Sequence, residues 1–559
     1  MLFLLGNVCS SQTTTVGLTT ISRPSPKVGH MLNYLTKPSW ENQSFIDSVQ
    51  KLSLEIIRYP GGTESQYFDW QTGKSLPSTL WTNGTLFNHA YIGTVPHVSY
   101  PLSELLYFYQ QTNIKPIFCL NLLTRSLPNQ IEMLQTASTL GIPVEWIELG
   151  NELYFEDQDF ILKYPNPIDY VLDIKNNWIP QLNALFPNAK IAVIGGFDGQ
   201  IDLNNNSVPP RISSWNSTLF EQNVSTDAIT FHYYIPPNTT TLSNPILSQA
   251  LAAPFRHWPT LKTNTLDNIT NGMECWITEY NLNDGNQTTY AIASSWAHGL
   301  YTASLFSLML EEPKVTMLLN HQIAGSPAFA SLASYTPFGD TLTNRLTAEG
   351  NAMRLLHKAV KGSLISTKLH FSNNPTIVVG NTTYPSLLGW YFENGSENEL
   401  YILNLSATSF TMDLSGLFNT EFEYEQISAD NPLLKNITTQ NLNISKGINQ
   451  STLQSSSYSL TYIKTENVAS IDDDKLSKRF VVYPQPVKDK VILHDKNVLN
   501  NNTIAIQITD IQGRVLDTVH DKFQNGLLII DLSTFSKQML FLNILDFNGK
   551  KQTIKVLKE

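Results

Sequence analysis

Short strand-like runs alternate with longer amphipathic runs between about residues 17 and 360. Strands that alternate with helices indicate a parallel sheet, and eight such units predict a closed (β/α)₈ TIM barrel of the α/β class. The predicted helices include 102–112, 168–186 and 288–311. The eight predicted strands are VGHMLN, LEIIRYPGG, IKPIFCLNL, VEWIELGNE, AKIAVIGG, DAITFHYY, MECWITEYN and KVTMLLNHQ.

A doubly wound open sheet is the alternative architecture. That fold needs a glycine-rich phosphate-binding turn after an early strand, and the segment RYPGGTES does not have this form. The closed barrel is therefore the favoured prediction.

The pattern changes after about residue 362, where strand-like alternation predicts an accessory β-sandwich, and changes again near the C-terminus. From residue 475 onward there are 13 lysines and arginines against 8 aspartates and glutamates, although the whole chain carries a net charge of −11. Such a sign change supports a domain boundary. The predicted domains are a barrel at 12–361, a sandwich at 362–466, a linker at 467–478 and a small C-terminal immunoglobulin-like β module at 479–559.

Composition excludes several other classes of protein. A net charge of −11 argues against nucleic acid as a partner, and no apolar run is long enough to predict a transmembrane segment.

Residues 1–11 are expected to be the remnant of a signal peptide. Cys119 and Cys275 lie in apolar runs and are expected to be buried thiols. The Cys and His spacing predicts no metal site, and no cofactor is expected.

Polar residues follow almost every predicted barrel strand. In a barrel of this kind, catalytic residues lie at the C-terminal ends of the strands. Polar groups there would be costly to bury unless they are paired or functional. These strand-end residues are Asn33, Arg58, Asn121, Asn151, Glu152, His232, Tyr233, Tyr234, Glu279, Tyr280, Asn320 and His321.

Two of these residues, Glu152 and Glu279, are carboxylates on predicted strands four and seven. Those strands face each other across the barrel mouth, so the two side chains can face each other too. Glycoside hydrolysis needs one carboxyl group to protonate the leaving oxygen and a second to attack the anomeric carbon or activate water. The sequence therefore predicts a glycosidase site.

The neighbouring strand ends suit this chemistry. Arg58 is expected to keep Glu279 ionised, and Tyr233 or Tyr234 is expected to donate to the same carboxylate. Asn151 is expected to hold a sugar hydroxyl, and His232 to orient Asn151 or bind substrate. The expected apolar walls around the acid are Trp146, Tyr154 or Phe155, and the candidate sugar-stacking residues are Trp70, Trp81, Trp215, Trp258 and Trp296.

With these residues in register, the chain resembles the clan A glycoside hydrolases, which carry an Asn-Glu acid/base on strand four and a Glu nucleophile on strand seven. The segments IIRYPGGTESQYFDW and ITFHYY are similar to the heparanase-like β-glucuronidases and the α-L-arabinofuranosidases. The resemblance implies that Glu152 is the acid/base and Glu279 the nucleophile. It also implies a retaining mechanism, with Arg58, Asn151 and His232 in support.

Two departures separate the chain from those families. Heparanase-like enzymes place consecutive glycines after the nucleophile to hold a uronic acid, but here Gly285 stands alone in EYNLNDGNQTT. Arabinofuranosidases carry a substrate-binding glutamate on strand one, where GHMLNY has Asn33. The identity of the sugar therefore stays open.

The C-terminal module carries a second resemblance. VVYPQPVKDKVIL, ITDIQGRVL, DLSTF and DFNGKKQTIKVLKE resemble the sorting domain of the bacterial type IX secretion system. This resemblance implies that residues 479–559 engage the secretion machinery. It also implies a protein that is secreted or attached to the surface of a Bacteroidetes-type bacterium.

The favoured prediction is a secreted retaining glycoside hydrolase that cleaves an extracellular polysaccharide or oligosaccharide. A non-catalytic carbohydrate-binding adhesin on the same barrel is the alternative. No G-x-S-x-G, Walker or H-E-x-x-H motif occurs, so serine, nucleotide and zinc mechanisms lack the residues that they need.

Overall fold

The computed structural model describes residues 12–35, 37–76, 99–196, 209–237, 244–269, 272–282, 292–325, 329–334, 344–394, 397–418, 420–435, 441–466, 480–483, 486–495, 503–510, 514–523, 527–545 and 551–558. The described residues divide into two compact units. The larger extends to residue 465 except for 395–397, and the smaller contains the C-terminal module. Within the described ranges, no helix is long and apolar enough to span a membrane.

Eight parallel strands close into a barrel, as the sequence predicts. Each is a run of apolar or β-branched residues that is buried almost throughout, which is typical of strands covered on both faces. In chain order they are β1 (Lys27–Met31), β2 (Ile56–Tyr59), β3 (Lys115–Cys119), β4 (Trp146–Glu148), β5 (Lys190–Ile194), β6 (Ala228–Ile235), β7 (Glu274–Leu282) and β8 (Val315–Asn320).

Helices cover the barrel, and the predicted 102–112 segment forms the helix Leu102–Thr112. The predicted segment 168–186 forms Pro167–Asp173, a π-helical turn at Ile174–Trp178 and Ile179–Leu185. The third predicted helix begins later than expected, at Trp296, and residues 288–291 lie outside the described part. This helix ends at Met309. The other described α-helices are Gln43–Lys51, Leu127–Thr139, Gln158–Lys163, Pro210–Ser213, Trp215–Glu221, Asn244–Asn264 and Ala348–Val360.

Inside the barrel, the end that lies away from the carboxyl ends of the strands is packed with apolar side chains, which form a plug. Trp276 of β7, only 1% exposed, is its largest side chain. Filling one end in this way leaves the other, where the strands finish, free to carry polar groups. The members of the plug are Ile56, Ile117, Ala192, Ala228, Trp276, Met317 and Leu319.

Nine strands form the accessory β-sandwich. The first of them in the chain lies in the segment predicted to begin the barrel, so the predicted barrel boundary at residue 12 was wrong. The strand Gln12–Pro24 pairs with Ile365–Phe371 and Phe410–Asp413, so it belongs to the sandwich and not to the barrel. Local sequence patterns cannot reveal such a pairing, because its partners lie about 340–400 residues further along the chain. In spatial order the strands are Asn443–Gln450, Glu421–Ser428, Ser459–Glu466, Glu397–Asn404, Leu387–Asn394, Ile365–Phe371, Gln12–Pro24, Phe410–Asp413 and Thr452–Ser455.

The C-terminal module has its own apolar core, which includes Phe480, Leu493, Ile506 and Leu542. It consists of two antiparallel sheets, as predicted for an immunoglobulin-like β module. One contains Phe480–Tyr483, Lys490–Asp495 and Leu527–Asp531, and the other contains Thr503–Thr509, Val515–Lys522, Gln538–Leu545 and Lys551–Lys558.

Candidate active site

Glu152 and Glu279 come together at the mouth of the barrel. A carboxylate oxygen of each, together with a ring nitrogen of His232, lies within 4.8 Å of the other two. Glu152 follows β4 in a left-handed conformation with φ of 47°, which is uncommon for a residue with a side chain and clusters at functional sites. Glu279 is on β7, as the strand-end pattern predicts.

Glu279 is surrounded by groups that favour its ionised form. Arg58 Nη1 donates to its Oε1 at 2.6 Å, and the hydroxyl group of Tyr234 donates to its Oε2. Burial alone would raise the pKa of Glu279. The charges of His232, Arg58 and His321 and the hydrogen bond from Tyr234 outweigh burial and lower the pKa to about 2. An ionised carboxylate is the form that a nucleophile requires.

Glu152 has a different set of partners. Its Oε1 lies 2.8 Å from His232 Nδ1 and accepts a hydrogen bond from the Tyr154 hydroxyl at 3.2 Å. Its Oε2 accepts longer hydrogen bonds, at 3.4 Å, from the hydroxyl of Thr63 and the amide of Asn151. No arginine contacts this carboxylate in the described residues, so the two glutamates differ in environment.

Arg58 holds these groups together from the end of β2. Its guanidinium group is fully buried and donates to Glu279, to Asn151 Oδ1 at 2.7 Å and to both oxygens of Glu148. Asn151 is therefore fixed between Arg58 and Glu152, with no exposed surface of its own. A planar guanidinium group suits this role because it presents five donors in a rigid arrangement.

Strand alternation decides between the two tyrosines that follow His232 on β6. His232 and Tyr234 point to the barrel mouth, whereas Tyr233 points outward, where its hydroxyl lies 2.6 Å from Thr265 Oγ1. The Tyr233 ring packs on Trp258. Since side chains alternate along a strand, the presence of His232 in the site places Tyr234 there as well.

Other predicted residues lie near the site or serve the fold. His321 packs its ring against Tyr234, with a 5.5 Å separation of the centroids. Asn33 accepts a hydrogen bond from the backbone of Leu35 in a local turn. Asn121 is buried, donating to Phe68 O and Thr124 Oγ1, and Tyr280 lies beside the Met353 sulfur on the helix side of β7.

The hydrogen bonds of His232 that the structure defines run to Glu152 and Thr278, so the ring lies beside Glu152. Two other expectations are not met. Trp146 begins β4, so it lies at the opposite end of the strand from the acid, beside Lys115. The candidate sugar platforms Trp70, Trp215, Trp258 and Trp296 are buried packing residues, and Trp81 lies outside the described residues.

Two acidic residues of the site were missed by the strand-end pattern. Glu148 is the last residue of β4, and an acid in an apolar run was the available signal. Glu64 lies in the 3₁₀-helix Thr63–Tyr67, and burial raises its pKa to about 8. Burial therefore favours the neutral form of that carboxyl group, which lies close to the charged pair of Arg58 and Glu279.

The same cluster has the spacing of a metal site, because Glu152, His232 and Glu279 each offer a ligand atom. His232 Nδ1 is already engaged with Glu152, and both oxygens of Glu279 accept hydrogen bonds, Oε1 from Arg58 and Oε2 from Tyr234. The guanidinium group thus supplies the positive charge that two buried carboxylates need.

Two comparisons with known proteins bear on these observations. Residues 481–559 match the family described as the secretion system C-terminal sorting domain. This chain carries a C-terminal sorting domain. The domain indicates type IX secretion, and therefore a protein that is secreted or attached to the cell surface. No curated protein matches the sequence.

The fold of the larger unit is shared with solved glycoside hydrolases. A family 51 α-L-arabinofuranosidase from Bifidobacterium longum has a TM-score of 0.60 and 13% identity, covering 81% of this chain and 100% of its own. An α-L-arabinofuranosidase from Thermotoga maritima has a TM-score of 0.59, with 13% identity and the same coverage. A 4-O-α-L-rhamnosyl-β-D-glucuronidase from Fusarium oxysporum has a TM-score of 0.54 and 14% identity, again covering 81% and 100%. The TM-scores establish that the barrel and sandwich are a shared fold, and identities this low limit the conclusion to the fold.

Loss of Arg58 should destabilise the barrel strongly. Arg58→Met leaves Glu148 and Glu279 buried without their counter-charge, so we expect the free energy of unfolding to fall by about 3–5 kcal/mol. Lys27→Met, which removes an exposed ion pair with Glu55, is the matched control and should cost less than about 1 kcal/mol.

Urea denaturation followed by tryptophan fluorescence measures this difference. All 10 tryptophans precede the sorting domain, so the signal reports only the barrel and sandwich. Equal losses in the two variants would contradict the assignment of Arg58 as the buried charge that holds the site together.

Proposed function

We propose that the barrel is a retaining glycoside hydrolase, with Glu279 as nucleophile and Glu152 as acid/base. The observation that carries the proposal is the approach of the two carboxylates to within 4.8 Å in contrasting environments. Retaining enzymes separate the two carboxyl groups by about 5–5.5 Å, whereas inverting enzymes need about 6.5–9.5 Å to admit water. The spacing favours retention.

The proposed reaction has two displacements. In the first, Glu279 attacks the anomeric carbon while the glycosidic carbon–oxygen bond breaks, and Glu152 gives its proton to the leaving oxygen. In the second, water attacks the same carbon, gives a proton to Glu152 and displaces Glu279. Water is the only co-substrate, and both glutamates return to their starting states.

An extracellular polysaccharide or oligosaccharide is the proposed substrate class. The sorting domain supports it, because a protein exported to the surface or the medium meets its substrates there. The shared fold of α-L-arabinofuranosidases and a glucuronidase makes those two sugars the first to test.

The test is hydrolysis by the full chain. Aryl glycosides, including an arabinofuranoside and a glucuronide, are assayed beside plant and algal polysaccharides, and the first-formed sugar is observed by proton NMR. We expect turnover of at least one member, with a product that has the anomeric configuration of the substrate. A product of opposite configuration would exclude the double displacement.

The alternative function, a surface adhesin, gives a different result in the same experiment. It would bind a polysaccharide without turnover, and Glu279→Gln would bind as tightly as the wild type. An enzyme would lose turnover in that variant while its affinity for substrate persisted.

A further inference from the structure

Glu148 is a buried carboxylate that the proposed reaction does not use directly. It lies at the end of β4 and has no exposed surface. Arg58 Nε donates to its Oε2 at 2.6 Å and Arg58 Nη2 to its Oε1 at 3.0 Å, a two-point ion pair. A carboxylate held in this way only accepts hydrogen bonds.

Thr278 connects Glu148 to the catalytic cluster. The pairing of β7 with β6 is irregular between Ile277 and Glu279, so Thr278 is an extra residue in the strand. Such a bulge re-aims side chains near active sites. Here it allows Thr278 and Glu279, although adjacent, both to reach the barrel interior. Thr278 Oγ1 lies 3.2 Å from Glu148 Oε1 and 3.1 Å from His232 Nε2.

These contacts settle the direction of each hydrogen bond. The Thr278 hydroxyl has one hydrogen, and Glu148 can only accept, so that hydrogen points to Glu148. The Thr278 oxygen must then accept from His232, which requires a hydrogen on Nε2. In the neutral imidazole the other nitrogen, Nδ1, carries the lone pair. Nδ1 lies 2.8 Å from Glu152 Oε1.

We propose that Glu148 and Thr278 are positioning residues that fix His232 in its Nε2–H tautomer, so that the catalytic proton lies on the hydrogen bond between Glu152 and His232 Nδ1. The inference rests on the proposed function and extends it to the origin of the acid's proton. Glu148 acts on both catalytic carboxylates, on Glu279 through Arg58 and on Glu152 through Thr278 and His232.

The charges that surround His232 agree with a proton held at this point. Burial alone would lower the pKa of His232, but Glu279, whose Oε2 is 3.7 Å from Nδ1, and then Glu152 outweigh burial and raise it. Arg58 and His321 also face the ring, and Arg58 opposes the rise. The proton therefore stays between Glu152 and His232 Nδ1, and either the carboxyl group or the imidazole can carry it. When the imidazole carries it, both ring nitrogens hold a hydrogen and the one on Nε2 is unchanged.

The proton can be followed through both displacements. In the first, it moves from Glu152 to the leaving oxygen, and Nδ1 is left without a hydrogen. In the second, water delivers a proton to Glu152, which restores the hydrogen bond to Nδ1. Throughout the reaction the hydrogen on Nε2 remains bonded to that nitrogen and is donated to Thr278 Oγ1, so the His232 ring keeps its orientation.

The experiment compares Thr278→Val with Thr278→Ser in the full chain. Valine keeps the shape of threonine without the hydroxyl, and serine keeps the hydroxyl. In Thr278→Val the ring can adopt the Nδ1–H tautomer, which donates to Glu152 and favours its ionised form. We expect kcat/KM at neutral pH to fall about tenfold and the basic limb of the pH profile to move about one unit lower. Thr278→Ser should restore both.

Nitrogen-15 NMR of the imidazole groups gives a readout that does not depend on activity. Among the 11 histidines, the signals of His232 are those lost in His232→Gln. Wild type and Thr278→Ser should show a hydrogen on Nε2, and Thr278→Val a mixture of tautomers. If glycosidase activity is absent, the spectra still decide the tautomer, so failure of the proposed function is separable from failure of this inference.

Three results would overturn the proposal. The first is a wild-type spectrum with the hydrogen on Nδ1 and none on Nε2, which decides the matter even if Thr278→Val does not fold. The second is a folded Thr278→Val with an unchanged pH profile. The third is equal impairment of the valine and serine variants, which would assign Thr278 a packing role.

Discussion

Glu279→Ala is expected to lose turnover by a factor on the order of 10⁴ or more, because no other described group can form the glycosyl bond. The fold should survive, since Glu148 still balances the charge of Arg58. The space vacated by the carboxylate lies beside Arg58 Nη1, which donated to it at 2.6 Å. A small anion such as azide should bind there and attack the anomeric carbon in place of Glu279.

The stereochemistry of that rescue identifies the nucleophile. Azide that replaces Glu279 makes a single displacement, so the glycosyl azide formed from an activated aryl glycoside should have inverted configuration. Glu274→Gln is the matched control, because Glu274 begins the same strand at the other end of the barrel and pairs with Lys190. Wild-type turnover in Glu279→Ala, or loss in Glu274→Gln alone, would remove Glu279 from the mechanism.

The barrel could be predicted from the sequence because the pattern that specifies each strand lies within a short, continuous segment of the chain. Each buried strand is a continuous apolar run that ends in polar residues, and strand-end position places those residues at one face. Arg58, Asn151, Glu152, His232 and Glu279 were found in this way. Their pairing with one another follows from the closure of the sheet.

The residues that were missed depend on features that strand ends do not encode. Thr278 reaches the interior only because of a bulge in β7, which depends on pairing with neighbouring strands. Glu148 was visible as an acid inside an apolar strand, but its role depends on Arg58, 90 residues away in the chain. The strand Gln12–Pro24 was misplaced for the same reason, since its partners are distant in sequence.

Glu152→Ala is expected to show losses that depend on the leaving group. A poor leaving group, such as a sugar hydroxyl, needs the proton that Glu152 supplies, and general acid catalysis contributes about 10²–10⁴-fold. A dinitrophenyl group leaves without a proton, so its glycoside should form the glycosyl-enzyme at a rate close to that of the wild type. The second step should then be slow, because no base activates water.

Azide separates the roles of the two glutamates in this variant as well. In Glu152→Ala it would attack a glycosyl-enzyme that Glu279 has already formed, so the glycosyl azide should keep the configuration of the substrate and turnover should rise. This outcome is the opposite of that expected for Glu279→Ala. If the two products exchanged configurations, the assignments of Glu152 and Glu279 would have to be exchanged. Azide makes a single, inverting displacement only in the variant that lacks the nucleophile, and makes the second of two displacements in the variant that lacks the acid/base. A uniform loss for all leaving groups without rescue would assign Glu152 to substrate binding, since His232 and Tyr154 would then hold it as a ligand for the sugar.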